Sequence, residues 1–403
     1  MYIGDYLGRR EIYSPEKLAI IDAGKTPELR LTFKAWNRRV NRLANWLRAE
    51  AGVGYRDRVA ILAQDGVEHL DLFHACSKLG AIHTALNWRL HWRELAGIVA
   101  NTTPRVLVYS DKFKDAVAEI VQAAAGGGHA IAHLVHLDGD GLPGSVRYDD
   151  LLAASPETSV AYDALEAEDI ACLLFTGGTT GLPKGAQISH RQVCWNVLNT
   201  VVHDVQHDDI YLNVFPLFHI GGLFTYLSAQ VVFGNTTILV RQFDPAQALD
   251  LIERERVTIF AAVPTMYQMM TQAANWASAD LTSLRFCTSG GAPLPVPLVE
   301  QYTREKGIRF KQGFGMTEYG PGLFALPPED AIRKAGSIGR PNFFVDVRVV
   351  DEENRPLGPH QPGELVLKGP SGCSGYWNDP AASAAVLDGE GWFHTGDIVE
   401  YDE

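Results

Sequence analysis

The stretch "FDPAQALDLIERERVTIFAAVP", residues 243–264, contains one complete unit of the fold. Asp244 followed by Pro245 marks a helix start, because a carboxylate caps the first free N–H groups and proline suits the first helical position. The apolar run that follows reads as a buried strand. Downstream the unit repeats: "PTMYQMMTQAA" (264–274) as helix, "LRFCTSGG" (284–291) as strand, "PLPVPLVEQYTREKG" (293–307) as helix. Upstream, "LTFKAWNRRVNRLANWLRAE" (31–50) sets Trp36, Val40, Leu43, Ala44 and Leu47 on one helical face. "RVAILAQ" (58–64), "RVLVYSD" (105–111) and "HLVHLDG" (133–139) read as strands around the helical "VEHLDLFHACSKLGA" (67–81). Alternating strands and helices predict an α/β fold with a largely parallel sheet.

Two stretches depart from this rhythm. "AAAGGGHA" (123–130) reads as a surface turn. From about residue 338 the period shortens to two, with "FVDVRVVD" (344–351) and "GELVLKG" (363–369) joined by "EENRPLGPHQP", which predicts antiparallel structure in a smaller β unit over 335–403. The last residues, "HTGDIVEYDE", read as the end of a strand rather than a tail, which leads us to expect more chain beyond them.

With 403 residues, 46% hydrophobic and 21% charged, the chain can form two or three packed units. A net charge of -13 argues against nucleic acid or an anionic membrane as the main partner. Five widely spaced cysteines without a C-x-x-C support neither a zinc site nor a disulfide framework, and a reducing cytoplasm fits them best. No signal peptide is visible, and no run reaches the roughly 18 apolar residues of a membrane span.

"LLFTGGTTGLPKGAQISH", residues 173–190, has the composition of a phosphate-binding loop, since glycines let successive N–H groups converge on an oxyanion. It is not a P-loop: that motif has glycine before the lysine and Ser/Thr after it, whereas Pro183 precedes Lys184 and Gly185 follows. Nor does it contain the G-x-G-x-x-G of dinucleotide folds. Taken alone, the loop could equally be a structural turn.

Three further segments are chemically loaded: "PLFHIGG" (216–222), "SGGAPL" (289–294) with "QGFGMTE" (312–318), and "GWFHTGD" (391–397). With the glycine loop and "YRDRVAILAQDGVEHLDLFHACSKLGAIHTALNWRL" (55–90), their order and spacing resemble the adenylate-forming enzymes, in particular the acyl-CoA synthetases. That resemblance implies two stacked αβαβα subdomains with mixed, largely parallel sheets over 1–334, and a distorted antiparallel β-barrel over 335–403. Such enzymes continue into a C-terminal lid domain with a second lysine. Neither is found here, so slow turnover is expected.

The implied chemistry is Mg²⁺-ATP-dependent adenylation of a hydrophobic carboxylic acid to acyl-AMP and pyrophosphate, then transfer to coenzyme A. Thr176, Gly177, Gly178, Thr179, Thr180, Gly181 and Lys184 are expected around the phosphates, with Gly177 standing where the family usually has serine. Gly290, Gly291, Ala292, Pro293, Gln312, Gly313, Phe314, Gly315, Met316 and Thr317 are expected around the nucleotide, with Phe314 in place of a usual tyrosine. Asp397 matches the carboxylate that accepts from both ribose hydroxyls. Glu318 matches the magnesium carboxylate, with Thr176 as a second hard oxygen and Thr317 as an α-phosphate donor. His219 matches a histidine that orients the substrate carboxylate between the acyl pocket and the α-phosphate. Ile220, Gly221, Gly222, Val263, Gly291, Gly313 and Gly315 are expected to line an apolar acyl pocket. That pocket would suit a medium or long acyl chain, or a bulky aryl acid.

Two other readings compete. The chain could load a carrier-protein thiol instead of coenzyme A, or it could bind nucleotide without catalysis, although intact Thr176, Lys184, Glu318 and Asp397 argue against decay. A homodimer is compatible with all three.

Overall fold

The computed structural model describes residues 3–177 and 183–403. Gly178, Thr179, Thr180 and Gly181, four of the expected phosphate-loop residues, lie outside the described residues.

Two large sheets carry the molecule. The first has seven strands in the order Val146–Arg147, His133–His136, Val106–Tyr109, Arg58–Leu62, Ile82–Ala85, Ile170–Thr176 and Lys184–Ser189. Every neighbouring pair is parallel except the last. The glycine loop therefore joins an antiparallel hairpin at the sheet edge, with Thr176 opposite Lys184. A P-loop needs a strand running into a helix, so the topology rejects that motif independently of Pro183.

The second sheet has nine strands, in the order Arg340–Pro341, Gly320–Leu326, Phe310–Met316, Phe286–Gly290, Ile259–Ala262, Ile210–Asn213, Thr236–Leu239, Leu18–Asp22 and Leu29–Thr32. Its six central strands are parallel. One of them, Leu18–Asp22, comes from the start of the chain and pairs with Thr236–Leu239, placing Ile20 opposite Thr237. Local periodicity cannot reveal a partner that distant in sequence.

The helices follow their local signals. Phe33–Ala49 buries all five expected residues, Trp36, Val40, Leu43, Ala44 and Leu47, beneath a Thr32 cap. Asp244 caps Pro245–Arg254, accepting from the Gln247 N–H at 2.7 Å. The expected turn at 123–130 instead begins as helix: Lys114–Gly126 continues through Ala123, Ala124 and Ala125. Alanine is the strongest helix former, and the helix stops only at Gly127, whose N–H caps Ala123.

In place of the expected small barrel, the described residues form a three-stranded antiparallel sheet, Asp346–Val350, Gly363–Lys368 and Phe393–Val399. Three strands are too few to close a barrel. The sheet instead covers its apolar face by packing Leu365, Leu367 and Phe393 against Tyr319, Leu323 and Phe324 of the large sheet's edge hairpin. Among the described residues, no helix is long and apolar enough to cross a membrane.

Candidate functional site

Four adjacent parallel strands of the second sheet, Phe310–Met316, Phe286–Gly290, Ile259–Ala262 and Ile210–Asn213, run in the same direction. The segments leaving their C-terminal ends carry Thr317 and Glu318, Gly291 to Pro293, Val263, and His219 respectively. Open α/β sheets bind ligands at that rim.

His219 caps the short helix Ile220–Phe224, and its Nδ1 accepts the Gly221 N–H at 3.1 Å. That bond fixes the tautomer: with Nδ1 accepting, Nε2 carries the hydrogen. The ring is reachable by solvent, yet the protein around it removes enough water to lower its pKa, so it is a neutral N–H donor at pH 7. The segment before it is anchored by Asp65, in the connection after strand Arg58–Leu62 of the first sheet, whose Oδ1 accepts the Leu217 N–H at 2.8 Å. Burial pushes the Asp65 carboxyl up to about 7. Nothing in the sequence marked Asp65, because its partner lies 152 residues away.

The glycines at the rim serve two different purposes. Gly290 lies opposite Gly313 across the strand pair, and Gly291, at φ +80°, lies beside Val263, where an added Cβ would stand 3.5 Å from Cγ1. Gly291, Ala292 and Pro293 are exposed and leave a flat surface open. Gly222 and Gly315, expected to line the acyl pocket, also stand where backbone passes close by. A Cβ on Gly222 would meet the Pro216 carbonyl oxygen at 2.1 Å, and one on Gly315 the Pro321 carbonyl carbon at 2.4 Å. Both glycines are required by close backbone packing. Among the described residues, nothing lies within 4 Å of a Cβ added at Gly177.

Among the residues expected around the nucleotide, the Gln312 Oε1 accepts the Leu294 N–H at 3.2 Å, and Phe314 stands half-buried, edge-on to Phe324 at 5.9 Å. Met316, half-buried, pairs with Gly320 across the hairpin. Asp397 is exposed on the last strand, and its carboxylate makes no hydrogen bond or ion pair among the described residues. Phe393 of the same strand packs on Tyr319, directly after Glu318.

Lys184, Tyr376 and Glu318 form one chain of contacts. The Lys184 ammonium lies 5.2 Å from the centre of the Tyr376 ring, and the Tyr376 hydroxyl donates to Glu318 Oε1 at 2.7 Å. Thr176 reaches the same place, its hydroxyl 3.4 Å from the Lys184 carbonyl. Burial and the neighbouring Glu318 hold the Tyr376 pKa well above its ordinary value, so the phenol remains a donor. Sequence reading missed Tyr376. It arrives because residues 375–377 run alongside Lys184–Ser189: the Gln187 N–H donates to Gly375 and the Trp377 N–H to Gly185, at 2.9 and 2.8 Å.

Glu318 suits a magnesium ion. Its Oε2 has no partner among the described residues, and its backbone carbonyl is fixed by Gln192 Nε2 and the Cys373 N–H. No cluster of three or more metal-ligating side chains occurs among the described residues.

Comparison with known proteins identifies the family. The sequence pattern of the AMP-binding enzyme family matches residues 11–377. A feruloyl-CoA synthase from Amycolatopsis sp is 38% identical over 99% of this chain and 76% of its own length. The long-chain-fatty-acid–CoA ligase FadD13 of Mycobacterium tuberculosis is 34% identical over 100% of this chain and 76% of its own. Among solved structures, the inhibitor-bound N-terminal domain of FACL13 from M. tuberculosis superposes with a TM-score of 0.91 at 32% identity, covering 99% of this chain and 96% of that one. ATP-bound MatB from Rhodopseudomonas palustris gives 0.87 at 28% identity, covering 100% and 77%. The chain belongs to the AMP-binding, adenylate-forming enzymes, in the acyl-CoA synthetase branch, and is an ATP-dependent ligase.

Proposed function

We propose that the chain binds Mg²⁺-ATP and a hydrophobic carboxylic acid at the rim of the second sheet, and joins them as an acyl-adenylate with release of pyrophosphate. The thioester would then form with coenzyme A. The observation that carries this reading is the convergence of His219, Val263, Gly291 and Glu318 just past the C-terminal ends of four neighbouring parallel strands.

The difficulty of the reaction is electrostatic, because a carboxylate must approach the α-phosphate of a polyanion. Lys184 supplies a positive charge to the phosphates, assisted by the hydroxyl of Thr176. Glu318 and Thr176 would hold the magnesium ion, which when bound neutralises phosphate charge. Tyr376 keeps the Glu318 carboxylate oriented through its short hydrogen bond. Thr317 donates to the α-phosphate. His219 offers Nε2–H to the substrate carboxylate and aligns it, without acting as a base, since a carboxylate nucleophile has no proton to lose. Gly290, Gly291, Ala292, Pro293 and Phe314 form the surface for adenine, and Asp397 accepts from the ribose hydroxyls.

Pyrophosphate release from Mg²⁺-ATP tests this. It should require an added carboxylic acid, and Glu318→Gln, which keeps the shape and loses the charge, should slow it roughly 100-fold. Release that ignores the acid, or that is unchanged in Glu318→Gln, would contradict the proposal.

A further inference from the structure

His219 inherits its direction from a tight turn, Pro216 to His219, which the His219 N–H closes by donating to the Pro216 carbonyl at 3.1 Å. The ring is then locked to the helix that follows: Nδ1 accepts from Gly221, and the His219 carbonyl accepts the Gly222 N–H at 3.0 Å. Turn and helix also touch, since a Cβ on Gly222 would meet the Pro216 carbonyl. Turn, ring and helix form one piece, and whatever fixes that piece to the rest of the molecule sets where the Nε2–H points.

The first sheet grips both central residues of the turn. Leu217, fully buried, donates its N–H to Asp65 Oδ1 at 2.8 Å. The Phe218 ring lies edge-on to Trp88 at 6.3 Å, with the Arg89 guanidinium 5.6 Å from its centre. Trp88 and Arg89 follow strand Ile82–Ala85 and Asp65 follows strand Arg58–Leu62, so the grip comes from the C-terminal rim of that sheet. From the second sheet, Asn213 Nδ2 donates to the Phe215 carbonyl at 3.2 Å.

Of these contacts only the Asp65 bond has an acceptor that takes up a proton near neutral pH. Asp65 is 6% exposed. Among the described residues, the charged groups facing it are Arg89 and Arg241, whose Nη1 donates to the Asp65 backbone carbonyl at 2.6 Å. Arg241 is shared with Asp22 at 3.5 Å and with Glu68 at 3.8 Å, and Glu68 also takes the Lys25 ammonium. The nearby His69 ring, bonded to the Ala63 carbonyl at 3.2 Å, is neutral because burial lowers its pKa to about 4. Burial outweighs both arginines, which is why the Asp65 carboxyl is raised to about 7. Ionised, it accepts the Leu217 N–H in a charge-assisted bond; protonated, it is a weaker acceptor.

We infer that Asp65 is a positioning residue for adenylation: its carboxylate, while ionised, holds the turn that aims the His219 Nε2–H at the substrate, and a proton on it loosens that aim. The inference rests on the adenylation reading and adds to it a pH dependence set from the first sheet. Asp65 acts through the turn, and a misplacement on the order of 1 Å at a reacting centre can lower a rate about 100-fold.

Acid-dependent pyrophosphate release, followed against pH at saturating Mg²⁺-ATP, tests it. In the unmodified chain kcat should rise about five- to tenfold between about pH 6 and about pH 8, as one carboxyl loses its proton. Asp65→Asn keeps an oxygen acceptor for Leu217 and cannot titrate, so the rise over that range should shrink to about twofold or less. His219 keeps its own ionisation in that variant, at more acid pH because burial lowers its pKa. Asp65→Leu, which leaves the Leu217 N–H without its acceptor, should cut kcat about 10- to 100-fold at about pH 8 while KM for ATP changes less than about twofold. Should Asp65→Leu not fold, the Asp65→Asn profile decides alone. A flat profile in the unmodified chain, an Asp65→Asn profile that keeps the full rise, or a folded Asp65→Leu with kcat intact overturns the inference, while acid-dependent release leaves the adenylation reading standing. Release that never depends on the acid overturns that reading and this one with it.

Discussion

Asp397→Ala is expected to weaken binding of an acyl-sulfamoyl adenosine by 100- to 1,000-fold and to leave the fold unchanged. The carboxylate is exposed and makes no hydrogen bond or ion pair among the described residues, so removing it leaves no buried partner behind. Its proposed role is to accept two vicinal ribose hydroxyls, and hydrogen bonds to a charged group contribute about 1.5–3 kcal/mol each. The local backbone does not depend on the side chain either: Gly396 donates to Glu364 at 2.9 Å, and the Asp397 N–H donates to Thr395 at 3.1 Å. Calorimetric affinity beside a melting curve separates the two effects. Unchanged affinity would remove Asp397 from the site, and a collapsed melting temperature would assign it a structural role.

Stability should fall steeply between pH 6.5 and 4. Burial lowers the pKa of His69, His190 and His203 to about 4, and of His74 and His83 to about 3. Glu68 opposes the shift at His69 and Asp169 at His190, while Lys78 deepens it at His74. Both ring nitrogens of His83 lack hydrogen-bond partners among the described residues. In the unfolded chain these rings titrate near 6.5. Between the two values the unfolded state binds more protons, so stability rises with pH, is complete above about 6.5, and is lost as pH falls toward 4. Each histidine then costs about 2 kcal/mol at pH 5. Asp65, raised to about 7, works in the opposite sense and offsets part of the loss. The remainder is several kcal/mol, comparable with the whole stability of an ordinary domain. Urea midpoints measured from pH 7.5 down to 5 should fall once the pH drops below about 6.5, whereas a flat profile would mean that the rings titrate normally.

How much of this was legible in the sequence depended on distance along the chain. The Asp244 cap and the buried face of helix 33–49 are local, set by residues within one or two turns, and they stand as read. The rim segments were also legible, because each follows a strand that its own apolar pattern announces. Contacts between distant segments were not. The Tyr376 to Glu318 bond spans 58 residues and the Asp65 to Leu217 bond 152, and neither residue type is distinctive at its position. Glycine was ambiguous for a related reason: at Gly222 and Gly315 the missing side chain admits backbone, whereas at Gly291 it leaves open surface, and only coordinates separate the two.

The central claim is that nucleotide and acyl group share one continuous site at the rim of the second sheet. Calorimetry of AMP alone against its acyl-sulfamoyl counterparts, on the unmodified chain, addresses it most directly. The account predicts that at least one acyl analogue binds 100-fold or more tighter than AMP, with affinity that depends on the acyl group. Acyl analogues that bind no better than AMP, whatever the acyl group, would contradict it.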